Sequence, residues 1–105
     1  MVDEERVELS IVAFEWDERK SDGNRVKHSI DFEDAIEIFY APILLRRSDR
    51  NSEERWVAIG SLEDKLIAVV FARRKDVIRI ISARHVRKDE ERAYRNAKLG
   101  RPPER

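Results

Sequence analysis

Residues 77–87 read VIRIISARHVR, a stretch rich in Ile and Val that is interrupted by Arg79 and closed by Arg84, His85 and Arg87. The two-residue period of a strand places Ile78, Ile80, Ser82 and Arg84 on one face and Val77, Arg79, Ile81 and Ala83 on the other. Each face is then mostly apolar and carries one arginine. Such an arginine is tolerated where it reaches water, pairs with a carboxylate or opens into a groove. A paired arginine on the wet face of an antiparallel sheet and an arginine in a binding groove both stay open.

The segments around this stretch predict further strands. Apolar runs at about 54–60 and 65–72 precede it, and short polar turns separate the three runs, which indicates antiparallel hairpins. Residues 43–49 can add another strand, and VELSIVAF at 7–14 alternates well enough for a first one.

Two helices are predicted between the first strand and the others, and a third at the end. Asp17 can cap a helix over 18–28. Asp31 can cap a second, whose apolar spacing and acidic first turn predict a core-facing helix that ends before Pro42. Its apolar residues at i, i+3, i+4 and i+7 are Phe32, Ala35, Ile36 and Phe39. The third helix, at about 88–98, has few apolar contacts. We therefore predict an α+β fold, a curved antiparallel sheet of four to five strands with two N-terminal-half helices and a short C-terminal helix.

Composition favours one folded domain without a cofactor. The 105 residues are 41% hydrophobic and 42% charged, enough for one core. We expect a domain at 1–99 and a disordered tail at 100–105. No cysteine is present, the two histidines lack metal-site spacing, and there is no glycine-rich phosphate loop, so we expect no metal or cofactor. The longest apolar run, Leu66 to Ala72, is far short of the ~20 residues that cross a bilayer, and residues 1–8 do not resemble a signal peptide, so we expect a soluble cytoplasmic protein without membrane partners.

Charge is distributed unevenly along the chain. Residues 1–40 contain 5 Lys/Arg and 12 Asp/Glu, a net charge of −7, whereas residues 41–105 contain 17 and 10, a net charge of +7. The basic portion can bind a polyanion or an acidic partner. The two halves can equally pair with each other.

Polar candidates for a binding site occur on the first helix and at the start of the second strand run. The helix carries a polar and cationic stripe at i, i+4, i+7 and i+8, formed by Lys20, Asn24, Lys27 and His28. Such a stripe either faces solvent or lines an anion site. Glu54 and Arg55 lie on opposite faces of their strand, and surface ion pairing is the alternative role for both.

Several of these segments together resemble the BrnT family of toxins. The similar segments are FEWDERK (14–20), Asn24, KHSIDFEDA (27–35), the ER pair at 54 and 55, RIISAR (79–84) and ER-A-Y (91–94). The family usually has glycine where this sequence has Ser29. The resemblance implies a RelE-like ribonuclease fold and a toxin of a type II toxin–antitoxin module. It also implies a cognate antitoxin with a ribbon–helix–helix DNA-binding domain, a dimer of toxin–antitoxin heterodimers, and contact with operator DNA only through the antitoxin.

The resemblance assigns roles to the candidate residues. Metal-independent RNA cleavage by 2′-OH attack needs a base, an acid, and cations at the phosphate. Arg79, Arg84 and Arg55 suit the phosphate, and His28 suits either proton transfer, with Lys27 and Glu54 as second choices. The predicted RNA-binding residues are Lys20, Asn24, Tyr94 and Arg92. Two alternatives stay open, a catalytically inactive module that binds the antitoxin as a corepressor and a plain structural domain.

Overall fold

The computed structural model describes Ile11 and residues 13–98, in which five strands and three α-helices follow one another along the chain. The elements are β1 (Ala13–Glu15), α1 (Glu18–His28), α2 (Phe32–Ala35) followed by a 3₁₀ helix (Ile36–Tyr40), β2 (Leu44–Arg47), β3 (Arg55–Leu62), β4 (Lys65–Arg74), β5 (Val77–His85) and α3 (Lys88–Lys98). Most of the predicted first strand and all of the predicted tail lie outside the described residues.

The five strands form one mixed sheet in the order β1-β5-β4-β3-β2. The three hairpin pairs are antiparallel as predicted, and β3 and β4 are joined by a two-residue turn in which Glu63 and Asp64 both have positive φ. The expectation of a wholly antiparallel sheet is wrong at β1, which pairs with β5 in parallel. A parallel pair needs a long connection, and the rest of the fold supplies it here.

The predicted bounds of the first and third helices agree with the structure, whereas the second helix differs. Asp17 caps α1, and Asp31 caps α2 by accepting a hydrogen bond from the Asp34 N–H at 2.8 Å. The α-helical geometry lasts only four residues before the chain tightens into the 3₁₀ helix. Residues three apart align in that geometry, so Ile38 takes the fully buried position where Ile36 and Phe39 were expected to share it.

Strand β5 contains a β-bulge that a two-residue period does not anticipate. Phe71 pairs with Ile80 and Val70 pairs with Ser82, which leaves Ile81 as an extra residue. The extra residue shifts the alternation by one position. As a result Ile78, Ile80 and Ala83 face one side of the sheet, whereas Arg79, Ile81, Ser82 and Arg84 face the other. The prediction that the two arginines lie on opposite faces is therefore wrong.

The two faces of the sheet are covered differently. The main core lies on the face under α2 and the 3₁₀ helix, where Phe32, Trp56 and Phe71 are fully buried. Each buried side chain of this size contributes about 1.5–3 kcal/mol. On the second face α3 covers a small apolar cluster through Tyr94, and the rest of that face carries arginines. We call this second face the arginine face.

The end of α1 leads to a stability prediction. Ser29 ends the helix in the left-handed region, at φ 61° and ψ 28°, and its N–H donates to the Arg25 carbonyl. A residue with a Cβ is disfavoured there by about 1–2 kcal/mol, a penalty that glycine avoids. Ser29→Gly is therefore expected to raise the free energy of unfolding by about 1 kcal/mol, after allowance for glycine's greater freedom in the unfolded chain. Urea unfolding of the two proteins measures the difference.

A matched variant separates this effect from a general effect of glycine. Lys27→Gly, two residues earlier in the same helix and exposed, is expected to lower stability by about 1 kcal/mol. A loss of stability in both variants would contradict the prediction.

Candidate nucleic-acid interface

Three of the predicted arginines lie on the arginine face. In the sheet register, Ala72 of β4 lies opposite Arg55 of β3 on one side and opposite Arg79 of β5 on the other. The three residues therefore form one row across β3, β4 and β5. Two strand spacings separate the arginine backbones, which is about 10 Å. Ala72 is only 1% exposed, so the neighbouring side chains cover it. Arg84 lies on the same face, nearer the end of β5.

Each of these arginines has a carboxylate partner. Arg79 donates to Glu15 at 3.1 Å, and Arg55 donates through Nε to Glu53 at 2.8 Å. These carboxylates are 45% and 32% exposed. Pairs this accessible to solvent stabilise a protein by about 0–1 kcal/mol, so a phosphate can exchange with the carboxylate at low cost. Arg79 and Arg55 are thus available to an anionic ligand.

Arg84 is held much more tightly. Its two terminal nitrogens donate to the two Glu90 oxygens at 2.8 and 2.9 Å, and the Glu90 side chain is only 6% exposed. Glu90 also accepts from the backbone N–H of Arg87 at 2.8 Å. Because this fork is bidentate and mostly buried, Arg84 attaches the start of α3 to the sheet. We assign it an anchoring position, unlike the catalytic role that the sequence suggested.

The pKa values of the paired groups reflect these contacts. Burial acts to raise the pKa of Glu90, but the hydrogen bonds from Arg84 and from the Arg87 N–H outweigh it and hold the pKa below its ordinary value. The hydrogen bonds to Glu90 raise the pKa of Arg84. A hydrogen bond from Arg46 likewise lowers the pKa of Asp89, at the start of α3. The carboxylates of Asp89 and Glu90 are therefore charged at neutral pH.

A groove of about 720 Å³ opens on the arginine face beside this anchor. Arginines from β2, β3, β5 and the adjoining loops outnumber the three carboxylates in its lining. The lining arginines are Arg46, Arg47, Arg50, Arg55, Arg84 and Arg87. The loop between β2 and β3 forms one wall, where Asp49 accepts from the Arg47 side chain and from the Arg55 N–H. The excess of arginines over carboxylates in this lining favours a polyanion.

Glu54 lies on the other face of the sheet from Arg55, as predicted. It accepts from the Trp56 indole N–H at 2.6 Å and pairs with Arg73 at 3.3 Å. The Arg47 guanidinium stacks 5.1 Å from the Trp56 ring. Glu54 therefore helps to position a tryptophan in the core, and the structure does not bring it to the groove.

The polar stripe predicted on α1 is divided by the fold. Lys20 and Lys27 are exposed and His28 is half-buried, and none of the three lines the groove. Asn24 faces inward and is 8% exposed. Its amide nitrogen donates to the carbonyls of Ile30 at 2.7 Å and Ala83 at 2.8 Å, and its oxygen accepts from the Ala83 N–H at 3.2 Å.

These contacts make Asn24 a structural residue. β1 covers only the first part of the β5 edge, at residues 77–79, and Asn24 satisfies the backbone of Ala83 beyond it. The structure gives no support to the predicted contact of Asn24 with RNA, because the polar atoms of this side chain are already bonded to backbone groups.

The two predicted contacts on α3 also lie outside the groove. Arg92 is exposed on the helix surface. Tyr94 packs on the apolar cluster of the arginine face and borders a second, apolar groove of about 460 Å³, beside Leu44.

Sequence reasoning missed the residues that complete the groove. Arg46 and Arg47 end β2, Arg50 lies in the following loop, and Asp89 and Glu90 begin α3. The acidic first turn of α3 was visible in the sequence, but its pairing with β2 and β5 joins distant positions.

Among the described residues no cluster of His, Cys, Asp and Glu is arranged to hold a metal ion, and no described helix is long and apolar enough to cross a membrane.

The fold and the groove define a small α+β domain with an arginine-rich surface of the kind that binds nucleic acid. A family model described as "Ribonuclease toxin, BrnT, of type II toxin-antitoxin system" matches residues 16–90, well over half of the chain. The chain belongs to this family of toxins. A search of the curated proteins finds no match.

Proposed function

We propose that this toxin is a metal-independent endoribonuclease with a RelE-like fold, and that its RNA substrate binds across the arginine face. The observation that carries the proposal is the row in which Arg55 and Arg79 flank Ala72, beside a groove lined by further arginines. The membership of the chain in a family of ribonuclease toxins supports RNA as the polyanion.

In the proposed reaction the 2′-oxygen of the RNA attacks the adjacent phosphorus and the 5′-oxygen leaves. A base takes the 2′-OH proton and an acid supplies one to the 5′-oxygen. Arg79 and Arg55 exchange their exposed carboxylates for phosphate oxygens and stabilise the charge that grows there. The proton role assigned to His28, with Lys27 and Glu54 as second choices, has weaker support, because none of the three belongs to the arginine row or lines the groove.

The proposed partner is an antitoxin with a ribbon–helix–helix domain that neutralises the toxin in the cytoplasm. The complex is proposed to be a dimer of toxin–antitoxin heterodimers, which follows if the antitoxin's DNA-binding domain dimerises. Operator DNA is then contacted only through the antitoxin.

A second candidate is a catalytically inactive toxin domain that serves as an antitoxin-binding corepressor. The observation that favours it is the pairing of Arg55, Arg79 and Arg84 with carboxylates in the free chain. The two candidates differ in whether the protein alone cuts RNA and stops growth.

The test compares the Arg55→Ala/Arg79→Ala double variant with the wild type. We expect the double variant to cleave cellular RNA at least about 100-fold more slowly, because both cations at the proposed phosphate site are lost. Its stability should fall by no more than about 2 kcal/mol, since the Arg79–Glu15 pair is exposed and the Arg55–Glu53 pair is only partly buried. The assay uses antitoxin-free protein with a chelator, with and without ribosomes, and growth arrest is measured in parallel.

Arg25→Ala/Arg95→Ala is the matched control, because it removes the same charge from two exposed, paired arginines on helix surfaces. It should cleave RNA at close to the wild-type rate. Equal cleavage by both double variants would remove the arginine row from the site. If the wild type cuts no RNA with or without ribosomes, the corepressor becomes the better account.

A further inference from the structure

The sheet residues at the floor of the groove include three aliphatic side chains, although most of the lining is polar. Val57, Val70 and Ile81 all line it, and Val70 and Ile81 are only partly buried. A groove that held only phosphate and ribose would gain little from an aliphatic floor. A nucleobase has flat faces that favour apolar contact and edges that need hydrogen bonds.

The β-bulge places two neighbouring side chains on this floor. Ile81 and Ser82 together oppose Val70, and both line the groove, whereas a regular strand would turn one of them into the core. Bulges re-aim side chains in this way and are over-represented beside active sites. The Ser82 hydroxyl can both donate and accept a hydrogen bond, so it can contact a base edge.

We infer that the Ile81–Ser82 bulge forms a nucleobase subsite in the arginine groove. One base of a bound RNA lies on Val57, Val70 and Ile81, and its edge bonds to the Ser82 hydroxyl. The arginine rim holds the neighbouring phosphates. This inference rests on the proposed function and adds recognition of a single base to it.

Deletion of Ile81 is the sharpest variant for a test. Ile80 already opposes Phe71, and Ser82 already opposes Val70. Removal of the extra residue therefore restores regular alternation and leaves Arg79 and Arg84 on the same face as before. Only the bulge and the Ile81 side chain are lost.

The probes are RNA hexanucleotides with 2′-O-methyl groups, which lack the attacking hydroxyl and measure binding alone. A series carries one abasic site at each position in turn, and fluorescence anisotropy gives the affinities. We expect the wild type to lose affinity about fivefold to tenfold when one particular position is abasic, the loss of one base contact. The Ile81 deletion should bind intact and abasic probes equally, with the salt dependence of the wild type.

Further variants keep the test decisive. Ile81→Ser replaces the deletion if the deletion does not fold, as judged by circular dichroism. Ser82→Ala should reduce the differences among the four bases at the sensitive position. Val26→Ala, which alters an exposed valine on α1, should discriminate as the wild type does.

The outcomes separate this inference from the proposed function. If the wild type is insensitive at every position, or the deletion and Ile81→Ser keep full sensitivity, the subsite is overturned. Base-selective binding without cleavage of ordinary RNA would keep the subsite and contradict the ribonuclease. Cleavage of ordinary RNA together with base-indifferent binding would contradict the subsite alone.

Discussion

Replacement of Arg84 by alanine is expected to lower the free energy of unfolding by about 2–4 kcal/mol. The variant leaves the Glu90 carboxylate mostly buried and without its bidentate partner, and an uncompensated charge of this kind is costly. The cost stays below that of a fully enclosed pair because Arg84 lies at the groove, 20% exposed. Urea unfolding followed by tryptophan fluorescence measures it.

The matched control is Arg79→Ala on the same strand and the same face. Its ion pair with Glu15 is exposed, so its stability should change by about 1 kcal/mol or less. A double-mutant cycle with Glu90→Ala isolates the pair: once the carboxylate is gone, Arg84→Ala should cost much less. Similar losses for Arg84→Ala with and without Glu90 would contradict the anchoring position.

The same pair gives the stability a pH dependence of defined sign. The pKa of Glu90 is lowered in the folded protein from its ordinary value of 4.5. The carboxylate therefore contributes stability that is fully present above pH 4.5 and is lost as the pH falls through the lower folded pKa. Glu90→Gln lacks this contribution, so the stability difference between the wild type and this variant should narrow on acidification.

The limits of the sequence predictions follow from the range of the interactions. Asp17 and Asp31 allow their helices to be predicted, because a cap acts on neighbouring residues. The hairpin turns are predictable for the same reason, since they too depend on neighbouring residues. The bulge at Ile81 leaves no such signal, since one extra residue in an apolar strand changes no local preference. It nevertheless decides which face carries Arg79 and Arg84.

The candidate site, like the fold, could be predicted from the sequence only in part. The arginines of β3 and β5 were visible as charges in apolar strands. The sequence did not show which arginines have a carboxylate partner that a phosphate can replace and which are anchored. That difference depends on how much solvent reaches Glu15, Glu53 and Glu90. Those exposures follow from where β1, a loop and α3 lie in the folded chain.

Asn24→Ala is expected to lower the free energy of unfolding by about 3–5 kcal/mol. The variant leaves three buried backbone groups without partners, namely the Ala83 N–H and the carbonyls of Ala83 and Ile30. Each unsatisfied buried group costs about 1–3 kcal/mol, and water that enters the site recovers part of the total. Amide exchange should show the loss first at Ala83, at the β5 edge that Asn24 covers.

Two further variants test the cause of the effect. Asn24→Asp has nearly the same shape but brings a carboxylate against the Ala83 and Ile30 carbonyls, so it should be at least as destabilising as alanine. Lys20→Ala, on an exposed position of the same helix, should change stability by less than about 0.5 kcal/mol. Tolerance of Asn24→Asp would mean that shape alone matters at this position. Because Ala83 lies beside Arg84 and the bulge, Asn24→Ala should also weaken the proposed RNA binding, although it replaces no side chain that lines the groove.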